Sequence, residues 1–191
     1  MNKKFIDLVL DQFIYGGVKY ASTNVKEATD ELVEDFGWNW LIGTQAKYVK
    51  RYKNTKREKD LLKIACYQYL NWLKLGYHLA TLGTAEMQCT TVETKSKHFA
   101  DFIRKAEAFS IHDKNFLTRH VALTSIYEGC KLLRLERAEE ILIEIFALCE
   151  FVWLKDGFDQ TEKHETDTWL EQKGLTKTKD DGNVGKQNGK A

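Results

Sequence analysis

Proline is absent from the 191 residues, where average usage near 5% would supply about nine or ten. Nothing breaks the interior of a helix with that residue, and the absence favours an all-α protein. Long apolar runs are lacking too. None approaches the ~18–20 residues that a membrane helix needs, and Asp7 and Asp11 interrupt the stretch where a signal peptide would be uncharged. The expectation is a soluble, cytoplasmic protein with no membrane partner. An excess of one charge is also missing, because Lys+Arg 29 stand against Asp+Glu 28 for a net +1. Any attraction for a polyanion must come from a local cluster. Cys66, Cys89, Cys130 and Cys149 form no C-x-x-C and have no paired histidines nearby, which excludes the spacing of a zinc site. They read as small buried hydrophobes in a reducing compartment. No G-x-G-x-x-G or G-x-S-x-G occurs. Gly182-Asn183-Val184-Gly185-Lys186-Gln187 has two residues between its glycines where a Walker loop needs four.

What is present is ample apolar content, 43% hydrophobic and 12% aromatic, enough to bury a core in one helical domain over residues 1–155. Phe5, Leu8, Val9, Gln12 and Phe13 draw a first helical face that Gly16-Gly17 should stop. Val25, Ala28, Leu32, Val33 and Phe36 predict a helix over 25–36. Ile42, Ala46 and Val49 predict one over 41–52, followed by an exposed turn at Lys53–Arg57. Leu61, Leu62, Ala65, Tyr69, Leu70, Trp72 and Leu73 predict one over 58–75 closed by Gly76. Further helices fit 94–109, 114–134 and 136–155. The second of these starts at an Asp113 cap and runs along Phe116, Leu117, His120, Val121, Leu123 and Tyr127, with His120 in the core. The third places Ile141, Leu142, Ile145, Leu148, Cys149 and Val152 inward and Glu136, Glu140 and Glu144 outward. The architecture is thus a bundle of about six helices, with a short docking helix in 156–173 and a disordered tail over 174–191, too poor in apolar residues to offset the entropy of ordering it.

One cluster stands out for chemistry. Between Lys47 and Lys59 lie Lys47, Lys50, Arg51, Lys53, Lys56, Arg57 and Lys59 against Glu58 alone, with Tyr48 and Tyr52 interleaved. Lys47, Lys50 and Arg51 can converge on phosphate oxygens, and the tyrosines can stack on a base. Read without a ligand, the same residues make a solvated helix face and a charged turn. A second cluster, Glu27, Asp30, Glu31, Glu34 and Asp35, sets carboxylates one turn apart, as in the first half of the E-x-x-E plus E-x-x-D metal set of MazG-type pyrophosphohydrolases. The second half has no counterpart. His112-Asp113 matches the metal-binding dipeptide of HD phosphohydrolases without the further histidines and aspartate that fold needs.

Residues 35–73 carry a resemblance. Asp35-Phe36-Gly37-x-Asn39-x-Leu41-x-Gly43, Lys47-Tyr48-x-x-Arg51 and Asp60-Leu61-x-Lys63-x-Ala65-x-x-x-Tyr69-Leu70 resemble a small helical domain common in tailed bacteriophages. Some podoviral members of that family are regarded as deoxynucleoside monophosphate kinases without a Walker loop. The resemblance implies phage origin and nucleotide metabolism, carried by Asn39, Lys47, Tyr48, Arg51, Asp60 and Lys63. Tyr52 and Lys53 depart from the small residue and glycine that usually follow the arginine.

Cluster and resemblance together give one expectation. Lys47, Lys50, Arg51 and Lys63 hold the phosphate of a nucleotide, Tyr48 and Tyr52 face the base, and Asp60 is the catalytic carboxylate, holding a magnesium ion or orienting the acceptor phosphate. The shared residues also admit a purely architectural role, with Lys47 or Arg51 cross-linking the hairpin to Asp60 and Asn39 with Gly43 shaping its turn. Two other functions compete. One is a non-enzymatic phage protein that binds a host or viral protein through a helical face, with Trp38, Trp40, Trp72 and Trp153 in core or interface, and with self-association compatible. The other is the MazG-like hydrolase.

Overall fold

A computed structural model describes residues 3–20, 35–36, 38–82, 101–106, 108, 117–131, 138–172 and 174. Among them every regular element is helical, and no strand occurs. The α-helices are α1 (Phe5–Tyr20), α2 (Trp38–Thr55), α3 (Glu58–Leu82), α4 (Arg119–Lys131), α5 (Ala138–Lys155) and α6 (Glu165–Gln172), with a 3-10 turn at Phe158–Gln160. Residues 101–106 add a helical segment. The predicted all-α bundle is therefore what the chain forms. The acidic helix over 25–34, His112-Asp113, Cys89, Trp38's side chain and the tail over 175–191 lie outside what is described.

α5 is the central rod. Leu142, Ile143, Ile145, Phe146, Ala147, Leu148, Cys149, Phe151, Val152 and Trp153 are all buried, and the expected outward Glu140 and Glu144 are exposed. α5 packs against α3 and α4, α2 lies against both α3 and α4, and α1 bridges α3 and α6. Each fully buried leucine or isoleucine contributes roughly 1.5–3 kcal/mol, so this one helix supplies much of the apolar driving force. Cys66, Cys130 and Cys149 are buried free thiols. Burial pushes the Cys130 thiol up to about 12, so it stays protonated and inert.

Several boundaries differ from expectation. α1 runs through Gly16-Gly17 and α3 through Gly76, because a glycine inside a helix costs only about 1 kcal/mol against alanine and need not end it. α2 extends to Thr55, so the expected turn shrinks to Lys56-Arg57. Lys56 adopts φ 50, the left-handed conformation that usually falls to glycine, and its N–H still donates to the Tyr52 carbonyl at 2.9 Å. The buried stripe of α2 is Leu41, Gln45, Tyr48, Val49 and Tyr52, whereas Ile42 and Ala46 are only half-buried. α4 begins at Arg119, capped by Thr118, whose Oγ1 accepts from the Val121 N–H at 3.2 Å. Its inward residues are Ala122, Leu123, Ile126 and Cys130. His120 and Val121 are exposed, so His120 is no core histidine. Phe36, placed in an apolar set by its spacing, is 61% exposed.

Within 156–173 the chain forms the short helix α6. α6 buries Thr166 and Leu170, and Trp169 meets Tyr15 of α1 edge to face at 4.3 Å. Lys3 donates to both Asp11, at 2.7 Å, and Asp167, and Asp167 also accepts the His164 N–H at 3.0 Å as the cap of α6. Burial raises the Asp167 carboxyl, but the hydrogen bonds from Lys3 and the His164 backbone, with the Lys3 charge, outweigh it and hold it below the ordinary aspartate value.

Two expectations follow. Because the folded value is the lower one, the ionised Asp167 favours the docked state. That contribution is present above about pH 4 and is lost as pH falls from there through the folded value. Trp169 fluorescence should register undocking of α6 in that window, and Asp167→Asn should abolish the step. At Gly43, exposed within α2, an added Cβ would meet nothing within 4 Å. Gly43→Ala should raise stability by about 0.5–1 kcal/mol in denaturant unfolding.

Candidate anion-binding site

α2 and α3 form an antiparallel hairpin in which Arg51 faces Asp60, Tyr48 faces Lys63 and Tyr67, and Gln45 faces Gln68. The buried face of α2 recurs every three to four residues, which turns Lys47, Lys50 and Lys53 outward and leaves Arg51 on the rim. The architectural alternative for Arg51 is what the hairpin shows. Its Nε donates to Asp60 Oδ2 at 2.7 Å and its second nitrogen to Oδ1, a bidentate pair on a carboxylate with no exposure. The hydrogen bond to Asp60 raises the Arg51 guanidinium above its ordinary value.

This pairing corrects the expected role of Asp60. Both oxygens are occupied by Arg51 and solvent does not reach them, so Asp60 does not fit a magnesium ion or an acceptor phosphate, and no step is derived through either. Among the described residues no three His, Cys, Asp or Glu side chains group as metal ligands.

Tyr52 is corrected as well. It is fully buried, and its hydroxyl donates to Asp156 Oδ2 at 2.5 Å, while the Arg119 Nε donates to both Asp156 oxygens at 2.8 Å. Burial first, then the bond to Asp156, pushes the Tyr52 hydroxyl far above its ordinary value, so it is a neutral anchor between α2, α4 and the end of α5. No base reaches it. Tyr48 is 9% exposed and its ring stacks on Tyr67 at 6.0 Å, so it offers no free face for a base either.

What Tyr48 does instead is gather cations. Lys47 Nζ lies 4.9 Å, Lys63 Nζ 5.0 Å and the Arg51 guanidinium carbon 5.1 Å from its ring centre. Lys63 also donates to the Tyr48 hydroxyl at 3.5 Å. All three lie within about 5 Å of the ring centre, where the ring's negative quadrupole attracts a cation by about 0.5–1 kcal/mol per contact. Lys50 is not among them. It leans the other way, across the seam to α4, where Lys50, Lys53 and Lys131 lie 5.6, 5.7 and 4.4 Å from the Tyr127 ring. Sequence reasoning missed this second group. Lys131 sits about 80 positions from Lys50, and Tyr127 reads as a core residue. The local signal was the Tyr127–Lys131 spacing of one helical turn. Asn39 and Gly43 lie exposed along α2 and shape no turn.

The described tryptophan side chains form no common patch. Trp153 is buried, with its Nε1 donating to Glu58 Oε1 at 2.7 Å, and Trp72 and Trp40 pack separately against Phe102 and Tyr67. No family model, curated protein or solved structure matches this chain, so the resemblance over residues 35–73 rests on its residues alone.

Removing one partner of the hairpin clasp strands a buried charge. Arg51→Ala should destabilise the fold by about 2–3 kcal/mol, less than for a wholly buried pair because the arginine is 40% exposed. Arg51→Met with Asp60→Leu should recover most of the loss in urea unfolding. A double variant no more stable than Arg51→Ala would refute the clasp.

Proposed function

We propose that the protein binds phosphate-bearing ligands, nucleotides among them, at the Lys47, Arg51 and Lys63 face of the α2–α3 hairpin. The observation that carries the reading is the convergence of three cationic groups from two helices on one tyrosine ring, each about 5 Å from its centre. Like charges held that closely repel one another, and a phosphate dianion placed among them relieves the repulsion while accepting hydrogen bonds from all three. The carboxylate nearest by geometry, Asp60, already neutralises part of the Arg51 charge from beneath, so two lysines and the rim of the guanidinium face the ligand. The resemblance to the phage helical domain adds to this reading, since Lys47, Arg51 and Lys63 are among the residues that carry it.

The function is recognition of phosphate, without base selection by Tyr48 or Tyr52 and without a phosphoryl-transfer step through Asp60. Lys50 belongs to the neighbouring cluster around Tyr127.

Isothermal titration with dTMP, dAMP and inorganic phosphate tests the site. Lys47→Ala with Lys63→Ala should weaken binding at least tenfold, about 1.4 kcal/mol, while the variant still unfolds in one cooperative thermal transition, at a melting temperature lowered only by the loss of two exposed cation–π contacts. The two deoxynucleotides should bind within a few fold of each other because no base is read. Undiminished affinity in the double variant would overturn the proposal.

A further inference from the structure

The two cationic groups share one helix. Lys47 and Arg51 of α2 meet Lys63 of α3 over Tyr48, and Lys50 and Lys53 of α2 meet Lys131 of α4 over Tyr127. Lys47 and Arg51 alternate along α2 with Lys50 and Lys53 over a rise of about 9 Å, and at about 100° per residue the two pairs fall on opposite flanks of its outer ridge. A single phosphate fills one group and leaves the other unmet.

The geometry points to a nucleic-acid phosphodiester backbone as the ligand, laid across the outer ridge of α2 so that successive phosphates meet first one cation group and then the other. This rests on the phosphate-binding reading above and extends it from one phosphate to a chain of them. Four further observations support it. Lys47, Lys50, Lys53 and Lys131 are all exposed. Among the described residues Asp60 pairs with Arg51 and Glu128 with Lys131 at 2.8 Å, so the charge of the ridge that meets no carboxylate lies on Lys47, Lys50 and Lys53. Both tyrosines are overlaid by cations, so the ridge reads phosphate and not base, as sequence-independent binding requires. Among the described residues α2 itself carries no exposed large hydrophobic. The exposed large hydrophobics among the described residues are Phe36, Val121 and Leu154, and Val121 lies about 120° around α4 from Tyr127. A membrane surface would call for such residues beside the lysines. With a net charge of only +1, the attraction at this strip is local and should fall steeply with salt.

The test uses the full chain and fluorescein-labelled dT16, rU16 and a 16-base-pair DNA duplex, with anisotropy read from 50 to 200 mM salt, beside dTMP titration by calorimetry. Expected is binding of dT16 at least tenfold tighter than of dTMP. For Lys53→Ala with Lys131→Ala, dT16 affinity should drop about fivefold or more, and its log–log salt slope should become shallower by about 1.4, at 0.7 per lost phosphate contact. The dTMP affinity of that variant should not change, because neither lysine touches the Tyr48 group. The rU16 and duplex arms show which nucleic acid fits the ridge best. If dTMP binds and no polymer binds more tightly, the inference is overturned and the phosphate site stands. If neither dTMP nor any polymer binds, both fall. Binding to phosphatidylserine vesicles without binding to any polymer overturns it in favour of a lipid surface.

Discussion

A carboxylate removed from water sets the terms for the rest of the hairpin. Taking Asp60 out of solvent costs several kcal/mol unless its charge is met, and Arg51 meets it with two charge-assisted bonds in one plane. That pairing fixes the register of α2 against α3, because a slip of one residue would leave the carboxylate buried alone. It also decides which groups face outward. Arg51 is drawn to the rim, Asp60 is withdrawn from chemistry, and Lys47 and Lys63 are left flanking Tyr48 as the outward cations.

The same logic explains how a nearly neutral chain acquires a basic face. Several of its acids are spent internally, each tying two or more elements. Glu58 takes the Trp153 indole and lies 2.9 and 3.0 Å from His164 Nδ1. Asp156 takes Tyr52 and Arg119, Glu139 takes Lys105 and Trp72, and Asp167 takes Lys3 and the cap of α6. Among the described residues the lysines on α2 lie opposite no such set, and their stems cover tyrosines while the ammonium groups stay in water. Balanced composition thus coexists with a lopsided surface.

The fold was largely legible in the residues. The apolar stripe of α5 and the burial of Leu61, Leu62, Ala65 and Tyr69 on α3 follow from spacing, because burial of one face is what the period of 3.6 encodes. The site was legible only as a charge cluster. Tyr48 and Tyr52 lie four apart with Leu41, Gln45 and Val49, which is itself a helical stripe. Their hydroxyls suggest ligand contacts, yet Tyr52 anchors to an aspartate 104 positions later. Likewise nothing local in Asp60-Leu61-Leu62 says that the acid is buried with its neighbours. Partners distant in sequence decide these cases, and periodicity carries no information about them. Lys131 joined the basic ridge for the same reason.

The clasp closes a loop of only nine residues, with Lys56 and Arg57 as its whole connection. Joining two segments so near in sequence gives up little chain entropy, while α6 must travel back from the far end of the polypeptide to meet α1. The Tyr48 half of the basic ridge therefore belongs to the part of the molecule that can assemble soonest as the chain leaves the ribosome, and Tyr127 and Lys131 complete the ridge only once α4 has followed.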